Sequence, residues 1–354
     1  MKQNKINSIQ FLRFIAFMFI FLWHTSHIYP TVIGPFAQTA VTFFVLLSGF
    51  VTCYNGLEKI ASFKLKNQLK YMLKKLKKFY PGYILSGFIF IFWDRLIVFL
   101  KQGNIEAIKR LVVYITMTQV YTTSDHYWFV LNGALWFISL MFTLYIVSLF
   151  TFKVIVKIKD SLKWNIVSSI SLFVILFIYN MLMQRIPNNN YWLYICPIPR
   201  IMEFTLAALI ANIYRIYSNM NTKNDFITKI LFTGLEVFAL FIFIVHNYIE
   251  CGYLVWSFIH IIPSLLIIFV FAVNKGYISA LFSKKPFVFL GNLSTPLYIT
   301  HVVFIRLIKD YYAKLLGLTS YKLVIVIFIC MLIFNSIFTI LIKEIKKQIK
   351  LRKE

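Results

Sequence analysis

Acidic residues are scarce in this chain: 12 Asp and Glu stand against 37 Lys and Arg, a formal net charge of +25. The carboxylates of the connecting segments, Asp94, Glu106, Asp125, Glu250 and Asp310, are dispersed. That argues against a multi-span glycosyltransferase or glycan polymerase, which would cluster them. The four cysteines (Cys53, Cys196, Cys251, Cys330) are scattered singly, with no C-x-x-C pair. Neither a zinc site nor a disulfide framework is indicated. Among the six histidines only His24 and His27 sit one turn apart, and two imidazoles alone make a weak metal site, so no metal is expected. No internal repeat stands out, which counts against the inverted-repeat transporters. The basic start MKQNK ahead of an apolar run imitates a signal peptide. Arg13 interrupts that run and no small-residue cleavage site follows, so an uncleaved first span is expected.

Polar sequence is short as well. The longest polar tracts are 57–79 and 101–130, and no appended soluble domain is expected. The first reads as a Lys-rich, partly amphipathic helix at the inner face, suited to anchoring on anionic headgroups. The second reads as an outer-face helix or re-entrant piece.

What is present is apolar: the chain is 60% hydrophobic with a mean hydropathy of +0.76. Repeated apolar runs of about twenty residues specify an all-α, polytopic membrane bundle. Ten spans are expected, near residues 9–29, 38–55, 80–100, 131–150, 164–183, 193–213, 227–246, 253–273, 287–308 and 321–342, in a single transmembrane domain over 1–354. With the N-terminus inside, the connections assigned to the cytoplasm hold 26 of the 37 Lys and Arg. This asymmetry favours both termini in the cytoplasm. The positive charge therefore reads as topology, and no nucleic-acid partner is expected.

The stretch 11–24, FLRFIAFMFIFLWH, organises the rest. Arg13 and His24 are separated by ten uncharged residues, so on a helix they return within about 20° of one face and lie roughly 16 Å apart along the axis. An arginine inside a span costs at least about 2.5–3.5 kcal/mol, and such groups usually face a bundle interior or a wet cavity. Snorkelling of Arg13 to the inner headgroups, with His24 in the outer interface, is the bland alternative.

Six segments, in order, resemble acyltransferase family 3, integral-membrane enzymes that move acyl groups from coenzyme A to hydroxyls, commonly of bacterial surface glycans. They are the Arg13 to His24 pair, FFVLLSGFV at 43–51, KKLKKFYPGY at 74–83, ALWFISLMFTLYIV at 134–147, CPIPRIMEFTLAALIA at 196–211 and LGNLSTPLYITHVVFI at 290–305. Two features depart from the family pattern. Lys75 and Lys78 stand where arginines are usual, keeping charge but losing the bidentate fork. Ala207 and Ala208 stand where a glycine is expected.

The resemblance implies a membrane O-acyltransferase, expected to be an O-acetyltransferase. Its donor would be cytoplasmic acyl-CoA (acetyl-CoA), with no permanently bound cofactor. The acceptor would be a glycan or lipid-linked saccharide at the bacterial plasma membrane. His24 suits the general base, or a covalent acyl-imidazole. Arg13 suits the donor's phosphates or the thioester carbonyl, and Lys75 and Lys78 would hold phosphates by charge. Arg200 and Glu203, one turn apart, are either a buried ion pair or an orienting pair for His24 or the acceptor. His301 is expected on the acceptor side or supporting the base. Trp136 stacks on a sugar or belongs to the interfacial belt. Ser48 and Gly49 are expected to permit close helix packing, and His27, His126, His246 and His260 carry no assignment. A non-enzymatic saccharide flippase or exporter would explain the spans and buried charge equally well.

Overall fold

The computed structural model describes residues 6–29, 36–91, 104–219, 225–249, 252–312 and 320–351. Helix accounts for 88% of it, and no strand is present among the described residues. The α-helices are α1 (Ser8–Thr25), α2 (Phe36–Ala61), α3 (Leu65–Phe90), α4 (Asn104–Ile115), α5 (Asp125–Trp128), α6 (Trp136–Ile155) and α7 (Leu162–Met183). They continue with α8 (Pro197–Ser218), α9 (Phe226–Val245), α10 (Ile261–Val273), α11 (Tyr277–Phe282), α12 (Lys285–Leu307) and α13 (Ser320–Leu351).

Among the described residues, eight helical stretches are long and apolar enough to cross a bilayer, and they correspond to α1, α2, α6, α7, α8, α9, α12 and α13. This is a polytopic helical bundle. The other two expected spans look different. α3 runs unbroken from the Lys-rich tract into the apolar segment, and residues 92–100 of that expected span lie outside the described residues, as do Asp94, Glu250 and Cys251. Around 253–273 the chain makes 3₁₀ turns at Gly252–Trp256 and Phe258–His260 before α10 begins. The apolar helix there is only Phe258–Val273.

Burial grades the helices from centre to periphery, with the stretches of α1 (44%) and α12 (39%) between the extremes. The most apolar stretches of α2, α6 and α8 are 78%, 72% and 67% buried, against 17% for those of α7, α9 and α13. The peripheral helices present large apolar side chains such as Phe177, Phe238 and Ile337 outward. In a bilayer those side chains face lipid, which is as apolar as they are.

Close approach in the centre depends on two glycines. A Cβ on Gly49 of α2 would lie 2.1 Å from the Phe204 carbonyl oxygen of α8, and one on Gly291 of α12 would lie 2.0 Å from that of Gln10 in α1. The first contact joins α2 to α8 and the second joins α12 to α1, which also packs against α2. Buried Glu236 of α9 accepts backbone N–H bonds from Gly276, Ile278 and Ser279 at 3.0–3.2 Å. The carboxylate caps the start of α11 through these backbone donors.

The 104–128 region folds as α4, a 3₁₀ turn at Gln119–Tyr121 and α5. It is tied down by polar contacts: Tyr83 and Tyr114 exchange hydrogen bonds to each other's carbonyls at 2.8 Å, with rings stacked 4.3 Å apart. Ser139 donates to the Met117 carbonyl and Tyr191 to that of Val120.

Candidate active site

Arg13 and His24 both face α12. The Arg13 guanidinium donates to Gln10 Oε1 (3.2 Å) and Thr295 Oγ1 (2.9 Å). It lines a cavity of about 220 Å³ together with Ser48, Lys75, Lys78, Tyr145 and Tyr298. Lys75 Nζ sits 3.8 Å from the centroid of the Tyr145 ring, a cation–π contact that holds the ammonium at the cavity wall. Three cations from α1 and α3 therefore converge on one small chamber at the lysine-rich end of the bundle.

His24 lies toward the other end. Its Nδ1 is 2.8 Å from the Ile20 carbonyl oxygen one turn back. A carbonyl only accepts, so Nδ1 carries the proton and Nε2 the lone pair. Fully buried His301 repeats the pattern, with Nδ1 on the Tyr298 carbonyl (2.6 Å) and Nε2 without a hydrogen-bond partner. The two rings meet edge to face at 4.8 Å. Both imidazoles thus place Nδ1 on the backbone and leave Nε2 off it.

Two further cavities open onto His24. One, of about 530 Å³, is lined also by Trp136, Tyr194, Tyr298 and Arg306. The other, of about 560 Å³, takes in His27, Arg306, Lys309 and Asp310. Among the described residues, Tyr298 alone lines both the Arg13 chamber and the Trp136 cavity. Its hydroxyl donates to the Ala134 carbonyl, and its ring lies 5.8 Å from Phe137 and 5.4 Å from His301.

Arg200 and Glu203 form a fully buried ion pair, with Nη1 3.1 and 2.9 Å from the two carboxylate oxygens. The guanidinium also donates to Thr42 Oγ1 and to the Tyr194 carbonyl, each at 3.0 Å. Neither residue lines these three cavities. Their reach toward His24 is indirect, through Tyr194, whose ring packs 5.3 Å from Trp136 in the His24 cavity. Trp136 faces that cavity from the bundle interior, being 5% exposed. Gly49 makes the close helix contact, while Ser48 beside it faces the Arg13 chamber. Of the unassigned histidines, His246 and His260 pair with each other (2.9 Å) beside Thr39, away from these cavities.

Sequence reasoning did not single out Gln10, Tyr145, Tyr298 or Arg306. Gln10 precedes Arg13 by three residues, and Tyr298 precedes His301 by three. One-turn neighbours of intramembrane polar groups were the available signal.

No curated protein and no solved structure matches the chain. The acyltransferase domain of family 3 matches residues 6–344, spanning every helix that carries these cavities. The chain belongs to acyltransferase family 3.

Proposed function

We propose that this protein is a membrane O-acyltransferase that carries an acyl group, acetyl in the simplest case, from cytoplasmic acyl-CoA to a hydroxyl of a cell-surface or lipid-linked saccharide. The observation that carries this reading is the pair of dissimilar cavities meeting at Tyr298: a tricationic one with Arg13, Lys75 and Lys78, and an aromatic one with His24 and Trp136. A polyanionic donor fits the first. A saccharide, which stacks on aromatic faces, fits the second.

In the reaction His24 Nε2 accepts the hydroxyl proton as the oxygen attacks the thioester carbonyl. The carbon–oxygen bond forms, the carbon–sulfur bond breaks, and the proton passes to the leaving thiolate. The Ile20 carbonyl fixes the tautomer this requires. His301, against the His24 ring, supports that base. Arg13 and the lysines hold the donor's phosphates, while Arg200 and Glu203 brace the acceptor wall.

A flippase would need no thioester, so release of free thiol from acetyl-CoA in purified membranes separates the two activities. General base catalysis supplies about 10²–10⁴-fold. The His24→Ala protein should insert normally and lose at least about a hundredfold in transfer. Transfer at the wild-type rate would remove His24 from the chemistry.

A further inference from the structure

Tryptophan is unevenly spread over this bundle. The chain has 7, and Trp23, Trp128, Trp136 and Trp256 all line the one cavity of about 530 Å³. An interfacial belt alone would scatter them around the circumference. Several of these rings are fixed. Trp128 is buried, donates from Nε1 to the Thr122 carbonyl at 2.6 Å and stacks on Tyr191 with centroids 5.5 Å apart. Trp136 and Trp256 flank Tyr194 at 5.3 and 5.8 Å, and the Arg200 guanidinium lies 5.2 Å from the centroid of the Tyr194 ring. The Arg200–Glu203 pair thus supports the aromatic wall from behind. The cavity's volume falls within the range of about 300–1,000 Å³ usual for small-molecule sites.

Polar groups interrupt that wall. Gln38, in the first turn of α2, lines it, and its Oε1 is buried without a hydrogen-bond partner among the described residues. A half-turn of the terminal amide exchanges oxygen and NH2, so the group can accept from a ligand or donate to one. Asp125, the first residue of α5, adds an exposed carboxylate. The backbone is strained nearby: Leu131, buried in the wall, has φ 55°, and Met117 has φ 56°. Left-handed backbone at bulky residues persists only where the surroundings impose it, and it clusters at ligand clamps. Aromatic faces carry partial negative charge and suit the C–H faces of a sugar ring, while carboxylate and amide oxygens accept from its hydroxyls.

We propose that the 104–128 segment carries the acceptor-recognition element, with Asp125 and Trp128 acting together with Gln38 and Trp256. The ligand is a sugar ring packed on the indoles. Asp125 and Gln38 bind its hydroxyls, leaving the acylated one to His24, which lines the same cavity. This rests on the acyltransferase reading. The test uses the purified full chain in a detergent without a sugar headgroup, and the saccharide fraction extracted from membranes of the expressing cells. Titrating that fraction without acetyl-CoA should change the tryptophan emission saturably. Asp125→Ala should weaken half-saturation by about tenfold to a hundredfold, the range for a charged hydrogen bond, and Gln38→Leu by about twofold to tenfold. Gln38→Glu, which keeps an accepting oxygen, should bind more tightly than Gln38→Leu. The thermal midpoint of Gln38→Leu should hold or rise, because the buried atom it removes has no partner to lose. With radiolabelled acetyl-CoA added, the KM for saccharide should rise by the same factors and that for acetyl-CoA stay within about twofold. Wild-type binding by either variant would strike that residue from the site. Wild-type binding by both, or emission unmoved by saccharide that is nevertheless acylated, would overturn the proposal. Saccharide binding by a protein that neither releases thiol nor transfers label would instead bring down acyl transfer and leave the binding site standing.

Discussion

Lys75 lies ahead of the apolar half of α3, with its ammonium against Tyr145. Burial, then Lys78 and Lys74, push its pKa down to about 8. It is charged below that value and neutral above it, so its attraction for a phosphate fades as pH climbs through about 8. The KM for acetyl-CoA should therefore rise over pH 7–9 in the wild type, approximate bounds set by one unit on each side of the midpoint. Lys75→Arg, charged throughout, should flatten the rise; superimposable profiles would exclude Lys75 from the donor site. His301 offers a different signature. A buried polar atom without a partner costs about 1–3 kcal/mol, and His301 Nε2 is such an atom. His301→Leu should hold or raise the thermal midpoint in detergent while lowering transfer more than about tenfold. A variant both active and more stable would make His301 a structural leftover. His24, His301 and Arg13 stood out in the sequence because titratable groups inside apolar runs are rare. Tyr298 was not. In a chain with 21 tyrosines, one more carries no signal until folding sets it between two cavities.

Helix packing decides which of the legible residues meet. Gly49 lets α2 approach α8 until a single added carbon would clash with the Phe204 carbonyl, whereas a Cβ on Gly234 of α9 would meet nothing within 4 Å. Gly49→Ala must force the two helices apart and should cost about 1–3 kcal/mol, the usual range for overpacking. Gly234→Ala should be neutral or slightly stabilising through helix propensity. Thermal unfolding in detergent checks the contrast, and equal midpoints for the two variants would show that α2 and α8 yield without cost. Most long helices were legible from twenty-residue apolar runs alone. The amphipathic helix in the Lys-rich tract was legible, but its unbroken continuation into the next span was not, because the switch from lysine-rich to apolar sequence, with Pro81 inside it, reads as a boundary. Nor was the start of α10, where local 3₁₀ turns carry the same apolar composition as the helix they precede. The Arg200–Glu203 pair was legible as a pair, but its grip on the Tyr194 carbonyl depends on the turn before α8.

Across the whole molecule, the tricationic chamber and the His24 cavities lie toward opposite ends of α1, with one aromatic side chain common to the two sides. That arrangement reconciles two demands of the proposed reaction. The thioester has to reach an imidazole far from where its nucleotide is held, and water has to be kept from following it. Tyr298, hydrogen-bonded to the Ala134 carbonyl and packed on Phe137 and His301, lines both cavities and is the group placed to serve the second demand. For the first, its ring has to swing aside when the pantetheine arm enters. Shortening it to alanine would leave the passage open. Tyr298→Ala should then release thiol from acetyl-CoA faster than it acylates saccharide, because water replaces the hydroxyl as nucleophile at His24. The ratio of thiol released to acyl transferred is close to one for a coupled enzyme and should rise several-fold, as an order of magnitude, in this variant. Tyr298→Phe, which keeps the ring and loses only the bond to Ala134, should stay nearly coupled. A ratio near one in Tyr298→Ala, with transfer intact, would mean that the partition lies elsewhere and that the two cavities communicate by another path.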